Sequence, residues 1–219
     1  MIRIHVLCEG QTEYDFVDKV LRPYVLAQGI VLIAHNLRGG FNYTRLKHTI
    51  IEWLNYEKSA YVTTMIDLYG MNRGYPQYAE TTLSNRPALE KVTTIEAAIK
   101  ADVLTTAHLH NYKFIPYVQL YEFEALLFSE PETLEAWLGL SHTIANQSFS
   151  TIRNAFDTPE DINDSPHTAP SKRILNIAPS YDKVAEGVTI ASDIGIQKIR
   201  EECPHFNAWL TELENLEAQ

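Results

Sequence analysis

The chain is short of cysteine and of basic charge, and it has no long apolar run. Its two cysteines, Cys8 and Cys203, form no CxxC pair, which argues against a structural zinc cage and a disulfide scaffold. Two thiols of this kind suit a reducing compartment. No segment is long and apolar enough to span a bilayer, so no membrane role is expected. The opening MIRIHVLCEG lacks the n-region, long h-region and cleavage site of a secretory signal, and a cytoplasmic location is expected. Lysine and arginine number 18 against 28 acidic residues, a formal charge of −10. That balance disfavours a protein that grips nucleic acid through a broad basic face. It is compatible with an acidic enzyme whose carboxylates hold a divalent cation and whose nucleic acid is gripped locally, or with a partner's help. Internal repeats and low-complexity tracts are also lacking.

What is there is a core. Hydrophobic residues make up 45% of the 219, which is incompatible with disorder and enough for one domain or a compact domain with an added part. Ile2 to Cys8 reads as a buried strand, with Cys8 a core thiol, and Glu9-Gly10 ends it. Thr12 is the expected cap of the next helix, with Asp15 three residues on. Phe16, Val17, Val20, Leu21, Tyr24 and Val25 continue it at helical spacing to Gly29. Strands are expected at Ile30–Ala34, Ala60–Ile66 and Lys113–Leu120, and helices at 44–58 and 87–104. Another helix is expected to start at Phe123. Alternating strands and helices predict an α/β fold with a mainly parallel sheet of about four strands. After Glu130 short helical segments and polar loops take over. Residues 1–130 are therefore expected to form the α/β core, and 131–219 a helical extension packed on it.

In open α/β sheets ligands bind at the carboxyl ends of the strands. Three expected strands end on acids: Glu9, Asp67 and Glu122. Glu13 lies one helical turn after Glu9, and Glu124 two residues beyond Glu122. If the sheet order brings these ends together, they form a cluster of hard oxygen ligands suited to Mg²⁺ or Mn²⁺. Each acid also has a plain structural reading, as a turn residue or as a first-turn acid favoured by a helix dipole.

Several stretches resemble an uncharacterised Toprim-like family. Glu9-Gly10-Gln11-Thr12-Glu13 resembles its EGxTE opening, and Asp67-Leu68-Tyr69-Gly70 its D-x-Y-G motif. Glu122 to Phe128, EFEALLF, is similar to its most distinctive segment. Ala169-Pro170-Ser171-Lys172-Arg173, Tyr181-Asp182-Lys183 and Cys203 to Trp209 are similar to its later motifs. The resemblance runs over nearly the whole chain. It implies a Toprim core, related to that of the overcoming-lysogenization-defect nucleases, and hydrolysis of phosphodiesters by metal-activated water, with a second ion stabilising the leaving oxygen. Glu9, Glu13, Asp67, Glu122 and Glu124 are the implied metal ligands, with Glu9 alternatively a general base. Lys183 is the implied cation for the phosphate, and Lys172 and Arg173 are phosphate contacts. The usual Toprim pattern has a DxD where this chain has Asp67 and Tyr69, and Glu122 or Glu124 is the expected source of the missing carboxylate. Relatives of this kind occur beside ATPases of the ABC or SMC type, which implies the effector half of an antiviral defence pair.

DNA is the expected nucleic acid ahead of RNA, and a homo-oligomer is left open. Two rivals stand beside the nuclease: a non-catalytic binding or regulatory subunit, favoured by Tyr69, and a phosphotransfer enzyme acting on nucleotides. Arg38-Gly39-Gly40 is read as a flexible turn or a phosphate cradle, and the tyrosines of 69–78 as a platform for bases. His35, His108, His110 and His142 are scattered, and the first two of the later three are read as surface residues.

Overall fold

The computed structural model describes residues 1–40, 42–84, 86–107, 113–140, 148–163, 165 and 167–217. The chain forms two compact units, Met1–Gln119 with Leu213–Gln219, and Leu120–Glu212.

The first unit is an α/β layer structure. Strands β1 (Ile2–Cys8), β2 (Ile30–Asn36), β3 (Tyr61–Asp67), β4 (Phe114–Ile115) and β5 (Val118–Gln119) form a parallel sheet in the order β2-β1-β3-β4, with β5 also paired to β3. Every residue of β3 is buried, as a central parallel strand covered on both faces requires. Helices α1 (Gln11–Phe16) and α2 (Arg22–Leu26), joined by a π-helical turn at Val17–Leu21, carry the chain from β1 to β2. Helix α3 (Tyr43–Tyr56) precedes β3, and α4 (Tyr78–Thr82) and α5 (Ala88–Ala107) precede β4.

The expected strand at Lys113–Leu120 is two short strands. Pro116 has no N–H to give a ladder and interrupts it. Two threonines of β3 repair the gap with side chains. Thr63 Oγ1 donates to the Ile115 carbonyl at 2.5 Å. Thr64 Oγ1 donates to the Tyr117 carbonyl at 2.9 Å and accepts from the Tyr117 N–H at 2.9 Å. The Val118 N–H finds Glu96 Oε1 at 2.7 Å.

Helix α3 is clamped to the sheet by a polar stack. His5 is 2% exposed. Its Nε2 lies 3.0 Å from Glu57 Oε2, and its Nδ1 lies 2.9 Å from His35 Nε2. A carboxylate can only accept, so neutral His5 donates from Nε2 and accepts at Nδ1 from His35. Trp53 stacks on the His5 ring at 4.2 Å and meets the His35 ring tilted at 4.3 Å between centroids, and Arg3 holds Glu57 from outside. Burial lowers His35 to about 4 and also lowers His5.

The second unit is helical. It holds the 3₁₀ segment Phe123–Ser129, α6 (Pro131–Trp137), α7 (Phe149–Arg153), α8 (Pro170–Ile177), α9 (Val188–Ile194), α10 (Ile196–Glu202) and most of α11 (Pro204–Glu214). The division into compact units falls after Gln119. The reason is the segment Phe123–Ser129, which is buried throughout and packs among the helices of the second unit. Glu160, 2% exposed, accepts from the backbone N–H groups of His205 and Phe206 at 2.8 and 3.0 Å and so caps α11.

Two outcomes test these packings. Thr64→Val leaves both backbone groups of Tyr117 without their buried partner and should cost about 1–3 kcal/mol in urea unfolding. A histidine pair whose folded pKa is depressed gives stability that is full above about pH 6.5 and is lost as pH falls toward 4. His35→Gln keeps a donor toward His5 but does not titrate, and should flatten the fall in stability across that window.

Candidate metal centre

The first unit brings Glu9, Glu13 and Asp67 to one edge of its sheet. β1 and β3 are adjacent and parallel, with Cys8 opposite Met65. Glu9 continues that register, its N–H donating to the Met65 carbonyl at 3.0 Å. The Glu9 carboxylate crosses to the end of β3, where its Oε2 accepts from the Asp67 N–H at 2.9 Å. It also lies flat against Gly70. A Cβ built on Gly70 would stand 2.3 and 2.4 Å from the two Glu9 oxygens. The glycine of D-x-Y-G is thus the space into which the glutamate of EGxTE fits. Asp67 is 7% exposed, so the acid at the end of β3 is largely shielded from water.

Glu13 has a second task. Helix α1 starts after Gly10, not after Thr12 as its sequence suggested, because the extended backbone of Gly10 makes it the cap. Glu13 stands at the third helical position and accepts from the Gly10 N–H at 3.0 Å, the reciprocal arm of a capping box. Its burial, with 3% exposure, follows from that bond.

Tyr75 is 3% exposed and so is no platform for bases. Its ring meets Tyr43 at 5.3 Å, and burial together with the Glu9 charge raises its pKa. Arg38, Gly39 and Gly40 all have left-handed backbone, and the Gly39 N–H donates to the Glu9 carbonyl at 2.8 Å. This turn is therefore tied to the strand end that carries Glu9. His108, His110 and His142 lie outside the described residues.

The second unit holds the other sequence candidates. Tyr121 has a positive φ of 62°, rare outside glycine, and the turn it makes aims Glu122. Glu122 Oε2 accepts from the Ser171 N–H at 2.9 Å, at the start of α8. Ser171 is not the cap of that helix; Ala169 is, with Pro170 in the first turn. Lys172 is exposed. Arg173 is half-buried, donates to the Thr168 carbonyl at 2.7 Å and lies over the Phe156 ring at 5.2 Å, contacts that hold the loop before α8. Glu124 is 1% exposed and pairs with Lys183 at 3.2 Å. Both cysteines are buried, free, and raised in pKa by burial, so neither is a ready nucleophile.

Among the described residues no group of three histidine, cysteine, aspartate or glutamate side chains is drawn together tightly enough to cage a metal ion. The donor set at the β1 and β3 ends is carboxylate oxygen, with Glu9 fixed by the backbone of Asp67. Such a set fits Mg²⁺ or Mn²⁺, since Mg²⁺ commonly keeps several waters and takes only one or two carboxylates from the protein. It does not suit the closed nitrogen and sulfur sites of zinc.

A family model described as "Domain of unknown function (DUF4276)" matches residues 8–214. The chain belongs to the DUF4276 family. The match takes in Glu9, Gly70, the EFEALLF segment and Lys183 together. Two solved structures, both of the C-terminal region of the OLD protein of Xanthomonas campestris pv. campestris, are similar to this chain at 15% identity. The one phased with iodine has a TM-score of 0.40 over 98% of this chain and 99% of its own; the one phased with mercury has 0.38 over 97% and 98%. No curated protein matches.

Gly70→Ala tests the coupling of the two motifs. The added methyl must push the Glu9 carboxylate off the Asp67 N–H. The Asp67 amide resonance in a ¹H–¹⁵N spectrum should move, and stability should fall by about 1–3 kcal/mol, the usual range for a contact of this kind.

Proposed function

We propose that this protein is a metal-dependent nuclease that hydrolyses phosphodiesters, DNA ahead of RNA. The observation that carries the reading is the Glu9 carboxylate, held between the Asp67 N–H and the bare face of Gly70 at the carboxyl ends of two adjacent parallel strands. Glu9 and Asp67 would hold Mg²⁺ or Mn²⁺, with Glu13 as a further carboxylate from the same unit. The bound cation would supply an activated water and neutralise charge on the phosphate. The chain's own part is to keep the carboxylates fixed before substrate arrives, which the Asp67 N–H does for Glu9 and the Gly10 N–H for Glu13. Lys183, half-exposed, is the cation we assign to a phosphate oxygen, and exposed Lys172 a weaker contact along the nucleic acid. The net charge of −10 supports a partner that supplies the basic track. An ATPase of the ABC or SMC type, in an antiviral defence pair, is the partner that the motifs favour.

A second reading is a binding or regulatory subunit without turnover. Tyr69 favours it, since a phenol stands where a second aspartate would otherwise bring another ligand.

The assay is cleavage of DNA and RNA with Mg²⁺ or Mn²⁺, by the protein alone and with a partner ATPase. Glu9→Ala and Asp67→Ala should each lower the rate by about two orders of magnitude or more, and chelation should abolish it. Cleavage that survives both substitutions would sink the nuclease reading.

A further inference from the structure

Glu124 is oddly placed for a metal ligand. It lies in the 3₁₀ segment Phe123–Ser129 at 1% exposure, and neither of its oxygens accepts a hydrogen bond. The Lys183 ammonium lies 3.2 Å from its Oε2, and the Glu122 charge is also felt there. Burying a carboxylate with so few contacts is expensive, and a buried ion pair is in general a poor source of stability.

The surroundings are built toward Lys183. Its ammonium lies 5.9 Å from the centre of the Phe123 ring, while the side chain keeps 34% of its surface in solvent. Lys183 opens a π-helical turn, Lys183–Gly187, whose start is braced on both sides. Asp182 Oδ1 accepts from the Val184 and Ala185 N–H groups at 2.9 and 3.1 Å, and Glu186 Oε2 accepts from the Asp182 N–H at 2.8 Å. Tyr181 is buried next to it, and its hydroxyl takes the space a side chain on Gly187 would need, 2.8 Å from the position of a Cβ. Left to itself, a lysine on a four-carbon stem would spread over many rotamers in water. Here one end is fixed by the brace at Asp182, and the other by a carboxylate and a ring.

We propose that Glu124 is a positioning residue: its buried carboxylate holds the Lys183 ammonium aimed at a phosphate oxygen of nucleic acid, and it touches neither metal nor substrate. The inference rests on the nuclease reading only for the identity of the anion, and it needs no turnover.

Two effects of removing Glu124 have opposite signs. Deleting a negative charge beside a phosphate-binding lysine strengthens attraction for an anion. Deleting the group that aims the lysine weakens it. The test measures binding of a fluorescein-labelled DNA oligonucleotide by anisotropy, at one low salt concentration, with wild-type protein, Glu124→Gln, Lys183→Gln and the double variant. Positioning predicts about tenfold weaker binding for Glu124→Gln, as for one lost charge-assisted contact, and no further loss in the double variant. It also predicts that the Lys183 ammonium gives a resolved ¹H–¹⁵N signal in the wild type and loses it in Glu124→Gln. The melting temperature of Glu124→Gln should hold or rise, because Lys183 can turn to water once its partner is gone. That of Lys183→Gln should fall, because a buried carboxylate is left alone, and the double variant should recover it.

Equal or tighter binding by Glu124→Gln, or a Lys183 signal that persists in it, overturns the proposal and leaves the nuclease reading standing. The expected binding pattern without any cleavage overturns the nuclease reading and leaves the positioning role. A wild-type protein that does not bind the oligonucleotide overturns both.

Discussion

The Glu9 carboxylate can lie across the end of β3 only because residue 70 has no side chain, and the geometry at this sheet edge depends on that space. The bond from the Asp67 N–H to Glu9 ties the last residue of β3 to the first residue after β1. It does so at the point where the ladder between the two strands runs out, after Cys8 and Met65. A backbone N–H directed at a carboxylate is a charge-assisted bond, stronger than an ordinary amide pair. The same residue anchors a second loop through its carbonyl, which takes the Gly39 N–H. Glu9 is thus a junction of three chain segments as well as a candidate ligand, and loss of its side chain affects fold and chemistry together.

Much of the frame was legible because burial leaves a period. The apolar runs at Ile2, Ile30 and Tyr61 marked three parallel strands, and helical spacing marked α3 and α5. Glu9 and Asp67 stood out because a carboxylate after a buried run is uncommon. Glu13 was visible as an acid of the first turn, but its role in capping Gly10 needed the backbone angles. The tie between Glu9 and Gly70 was not readable, since the two are far apart in sequence and a glycine after a strand resembles any turn.

Other features failed to show for related reasons. Pro116 was in plain view inside Lys113–Leu120, yet apolar residues on either side outweighed it, and the repair comes from Thr63 and Thr64 on another strand. Glu160, His5 and Tyr75 carried no local signal: an isolated acid, a histidine in a strand and a loop tyrosine are ordinary until their burial is known. Glu124 carried none for its pairing: it stands two residues after Glu122 in the 3₁₀ segment, and its partner Lys183 is far away in sequence.

The repair at Pro116 has a wider consequence. Along most of a sheet, register is recorded in the repeating backbone, which would accept a slip of two residues with little change in bonding. Around Pro116 the record is kept by two hydroxyls, Thr63 on Ile115 and Thr64 on Tyr117, until β5 resumes the ladder at Val118. The chain's path out of the sheet toward Glu122 is therefore indexed by side-chain chemistry.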